Sequence, residues 1–147
     1  MKRHTRYQGA IVRGDEILLI RHVEHGRDGR SYWLLPGGGI EAGETDEECV
    51  IRELWEETNV VVQVEKLLLV DPAEAESIYQ FRNTYLCRIV NGEPSPGYEP
   101  EEDASSVYGI TEVGWFDLRQ ADAWPTEILE DSITFPVLQR IRAALGY

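Results

Sequence analysis

The segment from about Asp46 to Thr58 constrains the fold more than any other, because it carries both its own start and its own stop. Thr45 is an N-cap residue, and Glu48 three positions later completes a capping box. Asn59 suits the left-handed position that ends a helix. Around the helix, Val50, Ile51, Leu54, Trp55 and Thr58 fill one arc, while Glu53, Glu56 and Glu57 share another about 100° wide. Such a helix is expected to lay its apolar arc on a sheet.

Strand-like segments flank it on both sides. Gly9 to His22 reads as two strands joined by a turn at Arg13-Gly14-Asp15. His25 to Arg30 is a polar loop, and Ser31 to Pro36 is a short strand running into Gly37-Gly38-Gly39. Beyond the helix, Val60 to Val70 and Ile78 to Val90 read as strands, the second with Tyr79, Phe81, Tyr85 and Cys87 on one face. An acidic loop, Asn91 to Ser106, leads to a strand near Val113 to Phe116. A short helix over about Ala123 to Glu130 follows. An amphipathic helix over Phe135 to Leu145, with Pro136 in its first turn, closes the chain. No repeat or linker divides it. The expectation is one domain over residues 1–147 with an α+β fold, an α/β/α sandwich holding a mixed β-sheet between helices.

Charge narrows the choice of partner. The net charge is −13, from 27 acidic and 14 basic residues. That surface repels a phosphate backbone, so a nucleic-acid polymer is not the expected partner. A small phosphorylated ligand remains admissible provided a cation neutralises the contact. The longest apolar runs, such as Ile17 to Ile20, are too short to span a bilayer, and no signal-peptide stretch follows the basic N-terminus. A cytoplasmic protein with no membrane partner is expected. Cys49 and Cys87 form no CxxC pattern and read as buried apolar residues, and the three histidines resemble no zinc site.

Gathering Glu53, Glu56 and Glu57 on one arc is costly. Two like charges about 4 Å apart repel by roughly 1 kcal/mol in water, and by several at the effective dielectric of a cleft. A hard divalent cation such as magnesium would remove that penalty, since it prefers oxygen ligands and shares them with water and phosphate. The alternative is a solvated helix face, which helix geometry alone does not exclude.

The surrounding residues weigh on that choice. From Gly38 to Val60 the chain reads GGIEAGETDEECVIRELWEETNV, which resembles the Nudix box, G-x5-E-x7-R-E-U-x-E-E-x-G-U with U aliphatic. Gly38, Glu44, Arg52, Glu53, Leu54, Glu56, Glu57 and Val60 match in spacing. The entry Trp33-Leu34-Leu35-Pro36-Gly37-Gly38-Gly39 is similar too, and the Gly114-Trp115-Phe116 segment agrees loosely. One position departs: Asn59 stands where the family has glycine. Asparagine tolerates the left-handed region well, so the turn is expected to survive, the chemistry to be unaffected and Asn59→Gly to be neutral or slightly stabilising.

The resemblance implies a Nudix fold and a pyrophosphohydrolase of the MutT-like kind. Such an enzyme uses Mg2+, or Mn2+, to hydrolyse a pyrophosphate bond in a nucleoside diphosphate linked to another moiety, by attack of water at phosphorus. It implies metal binding by Glu53, Glu56 and Glu57, with Glu57 the principal ligand and a backbone oxygen from Gly37 or Gly38. Glu44 would support the site, and Arg52 would orient carboxylates. The general base in the family is a helix glutamate or a loop acid, which makes Glu99, Glu101 and Glu102 candidates. Arg21 could contact a substrate phosphate, with a surface ion pair as the alternative. Trp33, Tyr79 and Phe81 could stack on a base, or belong to the core. The proline or tyrosine that marks ADP-ribose and dinucleoside polyphosphate hydrolases about sixteen residues past the box is not in place here. A small nucleotide is the expected substrate, with a (d)NTP slightly favoured and a nucleotide sugar, ADP-ribose or a dinucleoside polyphosphate left open, as is a homodimer. The rival from another class is a catalytically silent Nudix domain that senses a nucleotide.

Overall fold

The computed structural model describes residues 3–24, 30–75, 77–98 and 108–147. Seven strands are formed among them: β1 (Arg3–Arg13), β2 (Glu16–Glu24), β3 (Ser31–Leu34), β4 (Gly37–Gly38), β5 (Val61–Pro72), β6 (Tyr79–Asn91) and β7 (Tyr108–Asp117). Helix α1 (Asp46–Thr58) lies between β4 and β5. A 3-10 turn (Ala121–Ala123), α2 (Thr126–Leu129) and α3 (Thr134–Leu145) close the chain.

β1 organises the sheet. It pairs in parallel with β6 from Arg3 to Ile11, and antiparallel with β4 at Tyr7–Gly38 and Gln8–Gly37. Its end turns into β2 through Val12–Ile17 and Arg13–Glu16. One edge of β2 is covered from Glu16 to Glu24 by β7, and the other is shared by β1 and β3. β5 pairs antiparallel with β6 and lies outermost. The sheet is therefore mixed, as expected.

Both faces of the sheet are apolar, which is why helices cover both. Along β1 the side chains alternate: Tyr7 and Ile11 pack with Val50 and Leu54 of α1, and Ala10 and Val12 pack with Leu138 and Ile141 of α3. Gly9 lies between Tyr7 and Ile11 because α1 presses closest there. A Cβ at Gly9 would collide with Leu54 Cδ2 and stand 3.1 Å from Cδ1.

Several expectations shift in detail. β1 starts at Arg3 rather than Gly9, because its pairing with β6 runs that far. Residues 121–130 form a 3-10 turn and a four-residue helix instead of one helix, with Pro125 between them lacking an N–H to continue either. Phe81 is 39% exposed and does not join Tyr79, Tyr85 and Cys87 inside. Trp55 is 52% exposed, since it lies at the rim of the apolar arc. Among the described residues no helix is long and apolar enough to cross a membrane.

Cys49 and Cys87 are buried and not disulfide-bonded. Burial pushes both thiols up to about 12, so neither is a nucleophile near neutrality. Ellman's reagent at pH 8 is expected to leave both untouched in the native protein and to label both after denaturation. Rapid labelling of the native chain would contradict this packing.

Candidate active site

α1 begins and ends as its residues dictate. Thr45 Oγ1 accepts from Glu48 N at 3.1 Å and Glu48 Oε1 accepts from Thr45 N at 2.8 Å, completing the capping box. Asn59 closes the helix at φ 62° and ψ 25°, in the left-handed region.

The acids do not form a solvated face. Glu53 and Glu57 are 0% exposed and Glu56 is 9% exposed. They are buried because α1 sits against β4, where bare backbone comes close. Gly37 N donates to Glu57 Oε1 at 2.8 Å. A Cβ at Gly38 would stand 2.5 Å from the Glu53 carboxylate, and one at Gly37 would stand 2.6 Å from Gln8 Cα. Only glycine fits at these two positions, so the strand and the acids define one another.

Arg52 joins the carboxylates. It donates to Glu44 through Nε at 2.6 Å and Nη2 at 2.9 Å, a bidentate pair. Nη1 donates to Glu53 Oε1 at 3.0 Å and to Glu56 Oε2 at 3.3 Å, and Nη2 also reaches Gly39 O at 3.0 Å. The hydrogen bond to Glu44 and the neighbouring charges raise its pKa further, so it remains protonated. The same hydrogen bond holds the Glu44 carboxyl below its ordinary value. Four glutamates thus meet on one wall, three of them bridged by one guanidinium.

This donor set fits a hard cation. All its ligand atoms are oxygens, and Oε2 of Glu53 and Oε2 of Glu57 are buried with no hydrogen bond reaching those atoms among the described residues, although both carboxylates hold other contacts. Among the described residues no group of three or more acidic, histidine or cysteine side chains is gathered closely enough to hold a metal ion by itself. Magnesium keeps several waters and takes phosphate oxygens, so it asks for only one or two carboxylates from the protein.

Other expected residues lie elsewhere. Arg21 is held by Glu127, Glu112 and Ser31, with Nη2–Glu127 Oε2 at 3.1 Å. It forms the ion pair that was its alternative, and no acid of α1 is among its partners. Trp33 is 8% exposed, packs edge-on against Phe116 and donates from Nε1 to Glu127 Oε1 at 3.0 Å. Tyr79 is buried at the start of β6. Trp33 and Tyr79 thus occupy core positions instead of open stacking surfaces. Glu99, Glu101 and Glu102 lie outside the described residues.

Two features escaped the sequence. A shallow pocket, open to solvent, lies on the α3 side of β1 and is lined by Arg6, Gln8, Leu34, Leu35, Arg82, Ile133, Thr134 and Val137. Gln8, which lines it, is also the strand partner of Gly37. The second is a strap, residues 95–98, across the end of α1. Pro94, Pro96 and Gly97 were the signal there, but they mark irregular backbone without saying what it touches.

The fold and the acid wall agree with comparisons to known proteins. A family model described as NUDIX domain matches residues 3–135. The chain belongs to the Nudix family. A MutT-like protein from Streptomyces ambofaciens is 30% identical over 83% of this chain and 72% of its own length. A protein from Methanocaldococcus jannaschii named ADP-ribose pyrophosphatase is 33% identical over 64% of this chain and 56% of its own length. The chain spans 26% of another curated relative. Among solved structures, a MutT Nudix hydrolase from Burkholderia pseudomallei is 28% identical with a TM-score of 0.67, covering 94% of this chain and 95% of that one.

Proposed function

We propose that this protein is a divalent-metal-dependent pyrophosphohydrolase acting on a small nucleoside diphosphate derivative. The observation that carries the reading is the buried set Glu53, Glu56 and Glu57, the first two held by Arg52 and the third by Gly37 N. Burying like charges side by side is unfavourable unless a cation joins them, and Nudix enzymes generally use divalent metal ions.

Glu53, Glu56 and Glu57 would hold Mg2+, or Mn2+, with Glu57 as principal ligand. When bound, the cation neutralises the diphosphate and acidifies a water for attack at phosphorus. Arg52 holds the carboxylates in register and Glu44 holds Arg52, so both are positioning residues. Proton acceptance falls to a glutamate of α1 or to a loop acid among Glu99, Glu101 and Glu102. The shallow pocket beside Gln8 would take part of the rest of the substrate, with Arg6, Gln8, Arg82 and Thr134 as its polar groups.

The relatives bear the names of a MutT-like protein and an ADP-ribose pyrophosphatase, which frames the substrate range. A hydrolysis screen with Mg2+ over NTPs, dNTPs, nucleotide sugars, ADP-ribose and dinucleoside polyphosphates tests the reading. Turnover of one class, abolished by EDTA, is the expected result. Nucleotide binding without turnover of any of them would establish the silent sensor instead.

A further inference from the structure

The end of α1 is capped in a way its own residues do not provide. Its last turn contains no basic side chain, and the final carbonyls of any helix lack partners within it. Here the backbone of residues 95–98 supplies them: Ser95 N donates to Thr58 O at 3.0 Å, Gly97 N to Glu57 O at 2.9 Å and Tyr98 N to Glu56 O at 3.0 Å. Contact is so close at Gly97 that a Cβ would run into Glu56 O and stand 2.7 Å from the Glu57 carbonyl carbon. Gly92, at φ +91°, brings the chain back over α1 after β6.

Asn59 fastens this strap. Its Nδ2 donates to Ser95 Oγ at 2.9 Å, Pro96 O at 3.2 Å and Ser95 O at 3.3 Å. A glycine at this position would make the left-handed turn equally well and hold nothing. The departure from the Nudix box is therefore more than a tolerated residue, and the expectation that Asn59→Gly is neutral is replaced.

We propose that Asn59 is a positioning residue for the acid wall, its carboxamide clamping the 95–98 strap onto the last turn of α1 and so fixing the backbone from which Glu56 and Glu57 project. The inference rests on the metal-binding reading above for its consequence, but not for the clamp itself. Residues that orient metal ligands typically contribute about 10- to 100-fold to affinity.

Two measurements on the full chain separate the parts. In metal-free protein, N59G is expected to speed amide exchange at Gly97 and Tyr98 by about tenfold, with core amides of β1 and β6 unchanged. Mn2+ binding without substrate, followed by electron paramagnetic resonance, is expected to weaken by roughly tenfold in N59G. G97A, which lifts the strap while leaving Asn59 in place, is expected to weaken it similarly. Unchanged exchange at Gly97 and Tyr98 in N59G would overturn the clamp. Faster exchange with unchanged Mn2+ affinity in N59G would overturn the positioning role, whatever G97A does. Wild-type protein that binds no Mn2+ would overturn the metal reading and the positioning role with it, while the exchange data would still show the clamp.

Discussion

Glu57→Gln is expected to lower magnesium-dependent turnover by about 10³-fold, the loss of roughly 4 kcal/mol of transition-state stabilisation. Glutamine keeps Oε1, so the acceptor for Gly37 N is retained and the close packing of α1 on β4 persists. It removes a charge from a wall where Glu53 is also fully buried, and so relieves repulsion in the metal-free protein. The melting temperature without metal should therefore hold or rise, and its increase on adding Mg2+ should shrink. Steady-state rates together with melting curves with and without Mg2+ check both halves. A variant that kept the wild-type rate would remove Glu57 from its assigned role.

Arg52→Met is expected to produce the largest loss of stability. Arg52 bridges Glu44, Glu53 and Glu56, and the Glu53 side chain is 0% exposed. Without the guanidinium a buried carboxylate loses its counter-charge and three acids face one another, a situation that costs about 3–5 kcal/mol. For a chain of this size that lowers the melting temperature by roughly 6–20 °C. Because a divalent cation can take over part of the neutralisation, Mg2+ should restore more stability to the variant than it adds to the wild type. A shift of under about 2 °C would show that the bridge contributes little.

The acid wall was legible in the chain because its parts are local. Thr45 and Glu48 mark the start of α1, Asn59 marks its end, and a helical period of 3.6 then brings Glu53, Glu56 and Glu57 together whatever surrounds them. The glycines at 37 and 38 sit at a fixed chain distance before that helix, so the Nudix pattern could be read without any fold. The order of strands and helices likewise pointed to a mixed sheet covered on both faces.

Burial, partnership and direction were decided by tertiary contacts, because they depend on residues far apart in the chain. Nothing local distinguishes a solvated glutamate arc from a buried one; the approach of β4 makes the difference, through Gly37 N at Glu57 and Gly38 against Glu53. Arg21 could be read as a phosphate contact or as one half of a surface ion pair, and only the fold set Glu127, more than a hundred residues away, against it. Trp33 found the same acid. The meaning of Asn59 changed most, since its backbone angle was readable from residue type and its carboxamide was not. Three hydrogen bonds to a segment some 36 positions later turn a tolerated substitution into a clamp. The sequence alone thus determined the helix, its acids and their spacing, which short-range sterics and periodicity control. Only the folded chain decided which of those groups are desolvated and what holds them in place.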